Sequence, residues 1–157
     1  MTLIAFAELV QQTWLGIAMR SASPAAVLTI QIGHVLGLVL LLTALLLVNL
    51  RLLGWGLRSL PLAQVVHATR RALWLGLALT MGSGSLLFLS APVHYAANSA
   101  FVPKMLLLLA ALVVQASLYR RVTANPAPAA LLARGTAVLS LSLWFGVGLA
   151  GRAIGFV

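Results

Sequence analysis

Four long apolar runs dominate this sequence and restrict it to one class of fold. They cover about residues 25–50, 72–92, 102–119 and 135–156. A helix needs about 20 apolar residues to cross the hydrocarbon core of a bilayer. Backbone polar groups find no water inside lipid, so such runs fold as helices. The runs therefore predict an all-α fold: an integral-membrane four-helix bundle that forms a single transmembrane domain over residues 1–157.

The overall composition agrees with a lipid environment. Only 7% of the residues are charged, 62% are hydrophobic, and the mean hydropathy is +1.11, whereas a soluble domain carries about 25% charged residues. The sequence has no cysteine and a single acid, Glu8. This excludes disulfides, thiolate metal sites, paired carboxylates and a serine–histidine–aspartate relay. We therefore expect no catalytic activity from this chain alone.

Residues 2–19 are predicted to form an amphipathic helix that lies on the membrane surface. Phe6, Val10 and Trp14 follow helical spacing, while Glu8 interrupts the apolar surface, a mixture typical of interfacial helices. A fifth span is the alternative, and it would place the two termini on opposite sides of the membrane. A cleaved signal peptide fits poorly because no basic residue precedes the apolar stretch.

The basic residues predict the orientation. Most of the ten lysines and arginines lie in the two connectors after the first and third runs: Arg51, Arg58, Arg70, Arg71, Arg120, Arg121 and Arg134. Basic connectors stay in the cytoplasm, so we predict a multi-pass protein of the bacterial inner membrane with periplasmic termini. The net charge of +9 does not indicate nucleic-acid binding, because the basic residues form no stripe with interleaved aromatic residues.

Several polar residues are predicted to meet in the outer third of the bundle. Run lengths place His34 level with about Phe88, Lys104 and Arg152, and the predicted group comprises Gln31, His34, His94, Tyr95, Lys104 and Arg152. An isolated charge costs several kcal/mol inside a bilayer. Lys104 and Arg152 must therefore extend to the interface or meet an anion, such as a lipid phosphate, a haem propionate or a carboxylate of a partner subunit.

Three roles are open for His34. An imidazole bonded to Gln31 or to a neighbouring helix would make the packing specific. Alternatively, His34 is an axial ligand of a b-type haem, or it contacts a quinone or a proton. A second haem ligand from the same chain is awkward, because His94 is predicted in the outer loop and His67 at the opposite surface; a dimer or partner chain could supply one. The three histidines alone do not make a metal site.

Small residues recur at helical spacing on two of the runs. Gly76, Thr80 and Gly84 lie four residues apart on the second run, and Gly148 and Gly151–Gly155 mark the fourth. Such spacing predicts close helix packing in lipid. The alternative is a groove that admits a flat ring such as a haem edge.

Three strings resemble a family of small, uncharacterised bacterial four-helix inner-membrane proteins: QIGHVLGL (31–38), NLRLLG (49–54) and YAANSAFVPK (95–104). Their order is also loosely similar to that in cytochrome b561-like and copper-resistance D-type membrane proteins. The family resemblance implies Glu where Gln31 stands, Asp where Asn49 stands, and His near Tyr119. Gln31 and Asn49 are neutral, so they cannot carry a proton or neutralise a metal. The resemblance therefore implies that this chain keeps the fold of the family and has an accessory role.

These observations favour a non-catalytic accessory subunit that packs against a larger membrane complex, one that handles electrons or quinone, or against copies of itself. A small b-type cytochrome that uses His34 is the first alternative. A small-ion transporter is the second, and it is disfavoured because few polar residues occupy the centres of the runs. The candidate contacts for haem, quinone or lipid are Gln31, His34, His94, Lys104 and Arg152.

Overall fold

The computed structural model describes residues 2–125 and 128–156, and these form seven helices. Their bounds are α1 Leu3–Gln12, α2 Trp14–Arg20, α3 Pro24–Leu53, α4 Leu62–Ser90, α5 Pro92–Ala97, α6 Phe101–Ala124 and α7 Ala130–Ala153. Helices α3, α4, α6 and α7 are long and apolar enough to cross a membrane. The all-α class is therefore confirmed, and the four long helices indicate a multi-pass membrane protein.

Local sequence signals set both ends of α3, the longest helix. Ser23 Oγ accepts a hydrogen bond from Ala26 N at 3.3 Å, and Pro24 stands at the first helical position, where its missing N–H costs nothing. The helix stops at Gly54, whose φ of +73° is left-handed and suits a residue without a Cβ. The observed helix exceeds the predicted run 25–50 by a few residues.

The other long helices differ more from the apolar runs that predicted them. Helix α4 begins at Leu62 rather than at residue 72, α6 continues to Ala124 rather than to 119, and α7 ends at Ala153 rather than at 156. Hydropathy marks the part of a helix that lipid can surround, whereas the helix itself ends where its backbone hydrogen bonds end. Pro92 does not end α4; it opens α5, because proline is tolerated in a first turn.

Residues 2–19 form two short helices rather than the single predicted one. Thr13 Oγ1 donates to Val10 O at 2.6 Å and accepts from Gly16 N at 3.2 Å, so the same side chain ends α1 and caps α2. With ten and seven residues, neither helix reaches the length of about 20 that a span requires. Helix α1 packs on α5, and α2 packs on α4.

Helix α3 packs closely on α4 and also contacts α7, which in turn contacts α6. The closest approach joins α3 to α4: a Cβ added to Gly76 would lie 2.5 Å from Leu41 N and 2.8 Å from Gly37 O. The predicted small-residue packing is thus confirmed on α4. On α7 it is wrong for Gly148, around which a Cβ would meet nothing within 4 Å.

Two ends of the molecule serve as reference points below. The α5 end contains α5 and residues 153–156. The basic end contains the connector between α3 and α4, together with the start of α7. The apolar core lies between these ends, around Leu41, Leu45 and Trp144, which are at most 2% exposed. Trp144, in the middle of the fourth apolar run, thus packs in the interior.

Candidate functional site

His34 lies half-buried on α3 and faces α4, where it contacts Ser83. Its Nδ1 atom is 3.0 Å from Ser83 Oγ, and Ser83 Oγ lies 2.5 Å from the carbonyl oxygen of Leu79. A hydroxyl has one proton, which Ser83 donates to the carbonyl. We therefore assign Ser83 Oγ as the acceptor of a hydrogen bond from Nδ1–H of His34, which is the tautomer with the lone pair of the imidazole on Nε2.

The small residues of α4 make room for the imidazole ring. A Cβ on Gly84 would lie 3.1 Å from His34 Cε1 and 3.5 Å from Nδ1. One helical turn away, Thr80 lies against Gly37 of α3. Two turns away, Gly76 lies against the backbone of Leu41. The groove on α4 is thus filled by α3 and its histidine, which takes the space that the haem-edge alternative would need.

Lys104 is the second polar group near the α5 end. It is half-buried on α6, and its side chain lies over α7: a Cβ on Gly151 would be 3.4 Å from Lys104 Cε and 3.5 Å from Nζ. The Lys104 ammonium is close enough to His34 for electrostatic interaction. None of the four long helices carries a carboxylate, since the one acidic side chain, Glu8, is exposed on α1. The long helices therefore give this basic site no acid, while α1, which carries Glu8, packs on α5 at the same end.

Aromatic rings pack at the α5 end. Phe88 of α4 stacks on Phe101 of α6 with ring centroids 5.5 Å apart, and Tyr95 lies 6.4 Å and 6.2 Å from these two rings. Burial raises the pKa of the Tyr95 phenol above its usual value, because desolvation disfavours the phenolate. Tyr95 is therefore a neutral hydrogen-bonding group at physiological pH.

Asn98 connects the α5–α6 turn to the end of α7. Its Nδ2 donates to Ile154 O at 3.1 Å, and its Oδ1 accepts from Ala100 N at 3.0 Å. The side chain is 7% exposed. One buried amide thus joins two segments that are more than fifty residues apart in the sequence.

Only part of the predicted outer group is brought together. His34 and Lys104 are close enough for electrostatic interaction, but His34 contacts Ser83 and lies against Gly84 rather than Phe88, a difference of about one helical turn. The run lengths could not resolve this register, because the helices extend beyond the runs at different ends.

Three other members of the predicted group are exposed. Gln31 is exposed. His94 belongs to helix α5 rather than to a loop, and it is also exposed, with its ring edge against Tyr95. Arg152 is exposed and stacks on Phe156, with its guanidinium carbon 4.4 Å from the ring centroid. Arg152 thus extends outward, which is one of the two outcomes expected for it.

A second polar cluster, nearer the basic end, was missed by the sequence analysis. Asn49 is fully buried, and its Nδ2 donates to Ser140 Oγ at 3.3 Å, while its Oδ1 has no partner. Thr136 Oγ1 and Trp144 Nε1 of α7 are also buried without a partner. The spacing of Thr136, Ser140 and Trp144, four residues apart, was the signal that could have revealed a polar face toward α3.

The fold and the interior polar contacts define the class: an all-α, multi-pass membrane protein with polar residues between long apolar helices. Residues 6–157 match a family described as "Family of unknown function (DUF6644)", and the chain belongs to that family. No curated protein and no solved structure matches the chain. The match agrees with the predicted resemblance to an uncharacterised family; these comparisons do not support the looser similarity to cytochrome b561-like or copper-resistance D-type proteins.

Proposed function

We propose that this chain is a non-catalytic accessory subunit of a bacterial inner-membrane complex that handles electrons or quinone. In this proposal the arginine-rich connectors lie in the cytoplasm and the termini in the periplasm. The observation that carries the proposal is Lys104. Its ammonium is half-buried against Gly151, and no long helix supplies a carboxylate. Because an isolated charge inside a membrane costs several kcal/mol, a carboxylate of a partner chain at this point would stabilise the assembly.

Helix α6 offers the surface for such a partner. Only 6% of its most apolar 18-residue stretch is buried, compared with 39% in α3 and 33% in α7. Its exposed apolar residues form one face at helical spacing, namely Val102, Leu106, Leu109 and Val113, whereas Lys104 lies on the other side of the helix, over Gly151. Lipid can cover an apolar helix face as readily as protein can, so the test must compare this face with another lipid-compatible face of the same chain.

The pair of His34 and Lys104 supports the quinone-handling part of the proposal. The lone pair on His34 Nε2 can accept a hydrogen bond from a quinol hydroxyl, and the Lys104 ammonium can donate to a quinone carbonyl oxygen. Neither group carries an electron. A chain with these two groups therefore serves to bind or orient a quinone, while another subunit supplies the redox cofactor.

Photocrosslinking in intact membranes tests the proposal. A benzophenone amino acid replaces Leu109 of α6, which is 61% exposed, and in a matched control it replaces Val39 of α3, which is 55% exposed. We expect position 109 to crosslink one protein of defined mass and position 39 to crosslink lipid. Lys104→Gln tests the partner carboxylate separately: it should lower the amount of the crosslinked protein that co-purifies with the chain, whereas Arg152→Gln should not, because Arg152 already points outward. Lipid adducts alone at both positions would overturn the proposal.

A b-type cytochrome is the second candidate, and the hydrogen bond of His34 to Ser83 favours it. A ligating histidine usually donates its other ring nitrogen to a neighbouring acceptor, which is the arrangement of Nδ1 here. The chain fits haem only in part. His67 and His94 are exposed on other segments, so a second histidine would have to come from another copy, and bound haem would supply one-electron transfer. A Soret band that disappears in His34→Ala would favour the cytochrome over the accessory subunit, and a colourless purified protein would exclude it.

A further inference from the structure

A cleft with three arginines opens where α3 ends and α7 begins. Its volume is about 670 Å³; Arg51, Arg58 and Arg134 form its charged wall, and Leu53, Trp55 and Val138 form its apolar part. The single acidic side chain of the protein, Glu8, lies on α1, which packs on α5 near the opposite end. No side-chain acid therefore neutralises these three cations.

The fold holds two of these arginines in place. The left-handed turn at Gly54 returns the chain toward the end of α3, where Trp55 N and Gly56 N both donate to Leu50 O. Arg51 Nε then donates to Leu60 O at 2.7 Å, and Arg58 Nε donates to Gly54 O. Both bonds use Nε, so the terminal amino groups of both guanidinium groups remain free to bind a ligand. Groups that are already ordered lose less conformational entropy on binding.

We infer that this cleft binds a phosphate group, carried by an anionic phospholipid or by a soluble phosphate ester. Guanidinium groups bind phosphate through paired, charge-assisted hydrogen bonds, and three of them converge on one cavity. Leu53, Trp55 and Val138 add an apolar surface beside the charges, and tryptophan commonly lies at the headgroup level of a membrane. The cleft is at the basic end, away from His34 and Lys104, and the inference does not depend on the proposed function.

The test uses the full chain, purified in a non-ionic detergent, with native mass spectrometry as the readout. The probes are dioleoyl-phosphatidylglycerol, dioleoyl-phosphatidylcholine and inorganic phosphate. The cleft variant carries Arg51→Gln, Arg58→Gln and Arg134→Gln. The matched control removes the same charge from three exposed positions outside the cleft, with Arg70→Gln, Arg71→Gln and Arg121→Gln. Both variants lose three positive charges, so the general attraction of a basic surface for anionic lipid falls equally in both. A difference in affinity between them therefore reports on the cleft.

We expect the cleft variant to bind phosphatidylglycerol about tenfold more weakly than the control variant, the loss that follows from about one charge-assisted hydrogen bond. Because loss of Arg51 or Arg58 also removes a bond to Leu60 or Gly54, Arg134→Gln alone serves as a second variant that keeps both bonds. Phosphatidylglycerol binding without detectable binding of inorganic phosphate to the lipid-free protein identifies a lipid as the source, and binding of inorganic phosphate alone identifies a soluble ester. Equal affinities in the cleft and control variants, or equal binding of the two lipids, would overturn the inference.

Discussion

The close contact between α3 and α4 makes Gly76 the most informative position for a stability test. In Gly76→Ala the added Cβ would lie 2.5 Å from Leu41 N and 2.8 Å from Gly37 O, whereas ordinary contact begins at 3.4 Å. Both neighbours are backbone atoms and cannot rotate away. The two helices must therefore separate by up to about 0.9 Å, and a gap of that size removes about a quarter to a half of each dispersion contact.

The expected free-energy change combines two opposing terms. Overpacking of a close contact costs about 1–3 kcal/mol, and the rigid neighbours put Gly76→Ala in the upper part of that range. Alanine is favoured over glycine inside a helix by about 1 kcal/mol, which offsets part of the cost. We therefore expect Gly76→Ala to lower the free energy of unfolding by about 1–2 kcal/mol.

Gly82→Ala on the same helix is the matched control, because a Cβ there meets nothing within 4 Å. This variant gains only the higher helix propensity of alanine, so we expect its free energy of unfolding to stay the same or rise by about 1 kcal/mol. Titration of the purified protein with sodium dodecyl sulfate in mixed micelles, followed by circular dichroism, measures both variants. If Gly76→Ala unfolds at the same midpoint as Gly82→Ala, the argument from close backbone contact is wrong.

Three further predictions concern the interior polar contacts. In a double-mutant cycle of Asn49→Leu and Ser140→Ala, we expect a coupling energy of about 0.6 kcal/mol, the average for hydrogen bonds inside membranes; the same titration measures it, and no coupling would mean that the bond contributes nothing. We expect ¹⁵N magnetic resonance to show the His34 proton on Nδ1 and a redistribution toward Nε2 in Ser83→Ala; a proton on Nε2 in the unaltered chain would contradict the assigned hydrogen bond. In Asn98→Ala, hydrogen exchange in the last turn of α7 should accelerate about fivefold, since about 1 kcal/mol of hydrogen bonding is lost; unchanged exchange would show that this amide does not hold the turn.

Properties that depend on one segment at a time could be predicted best from the sequence. The four long helices follow from hydropathy, whereas the exact start of α3 is set by the cap of Ser23 and by Pro24. The prediction is less accurate where a helix leaves the apolar run. Residues 62–71 are polar enough to lie outside the predicted second run, yet they continue α4 because polar residues also form helices.

The candidate site was predicted less completely than the helices. The sequence predicts Gln31 in the outer polar group beside His34, but Gln31 is exposed while His34 contacts Ser83. Asn49 is singled out in the sequence only through a family resemblance, whereas the structure buries it against Ser140. Neither outcome could be read from hydropathy, because both depend on which way each helix is rotated.

The sequence by itself determined that this protein has long apolar helices and which connectors between them are basic, because both are properties of consecutive residues. Only the tertiary structure decided that His34 meets Ser83, that Lys104 lies over Gly151, and that three arginines share one cleft. The physical reason is the solvent. In water the apolar side of a helix shows which face turns inward, whereas lipid is as apolar as the interior and leaves helix rotation and register to packing.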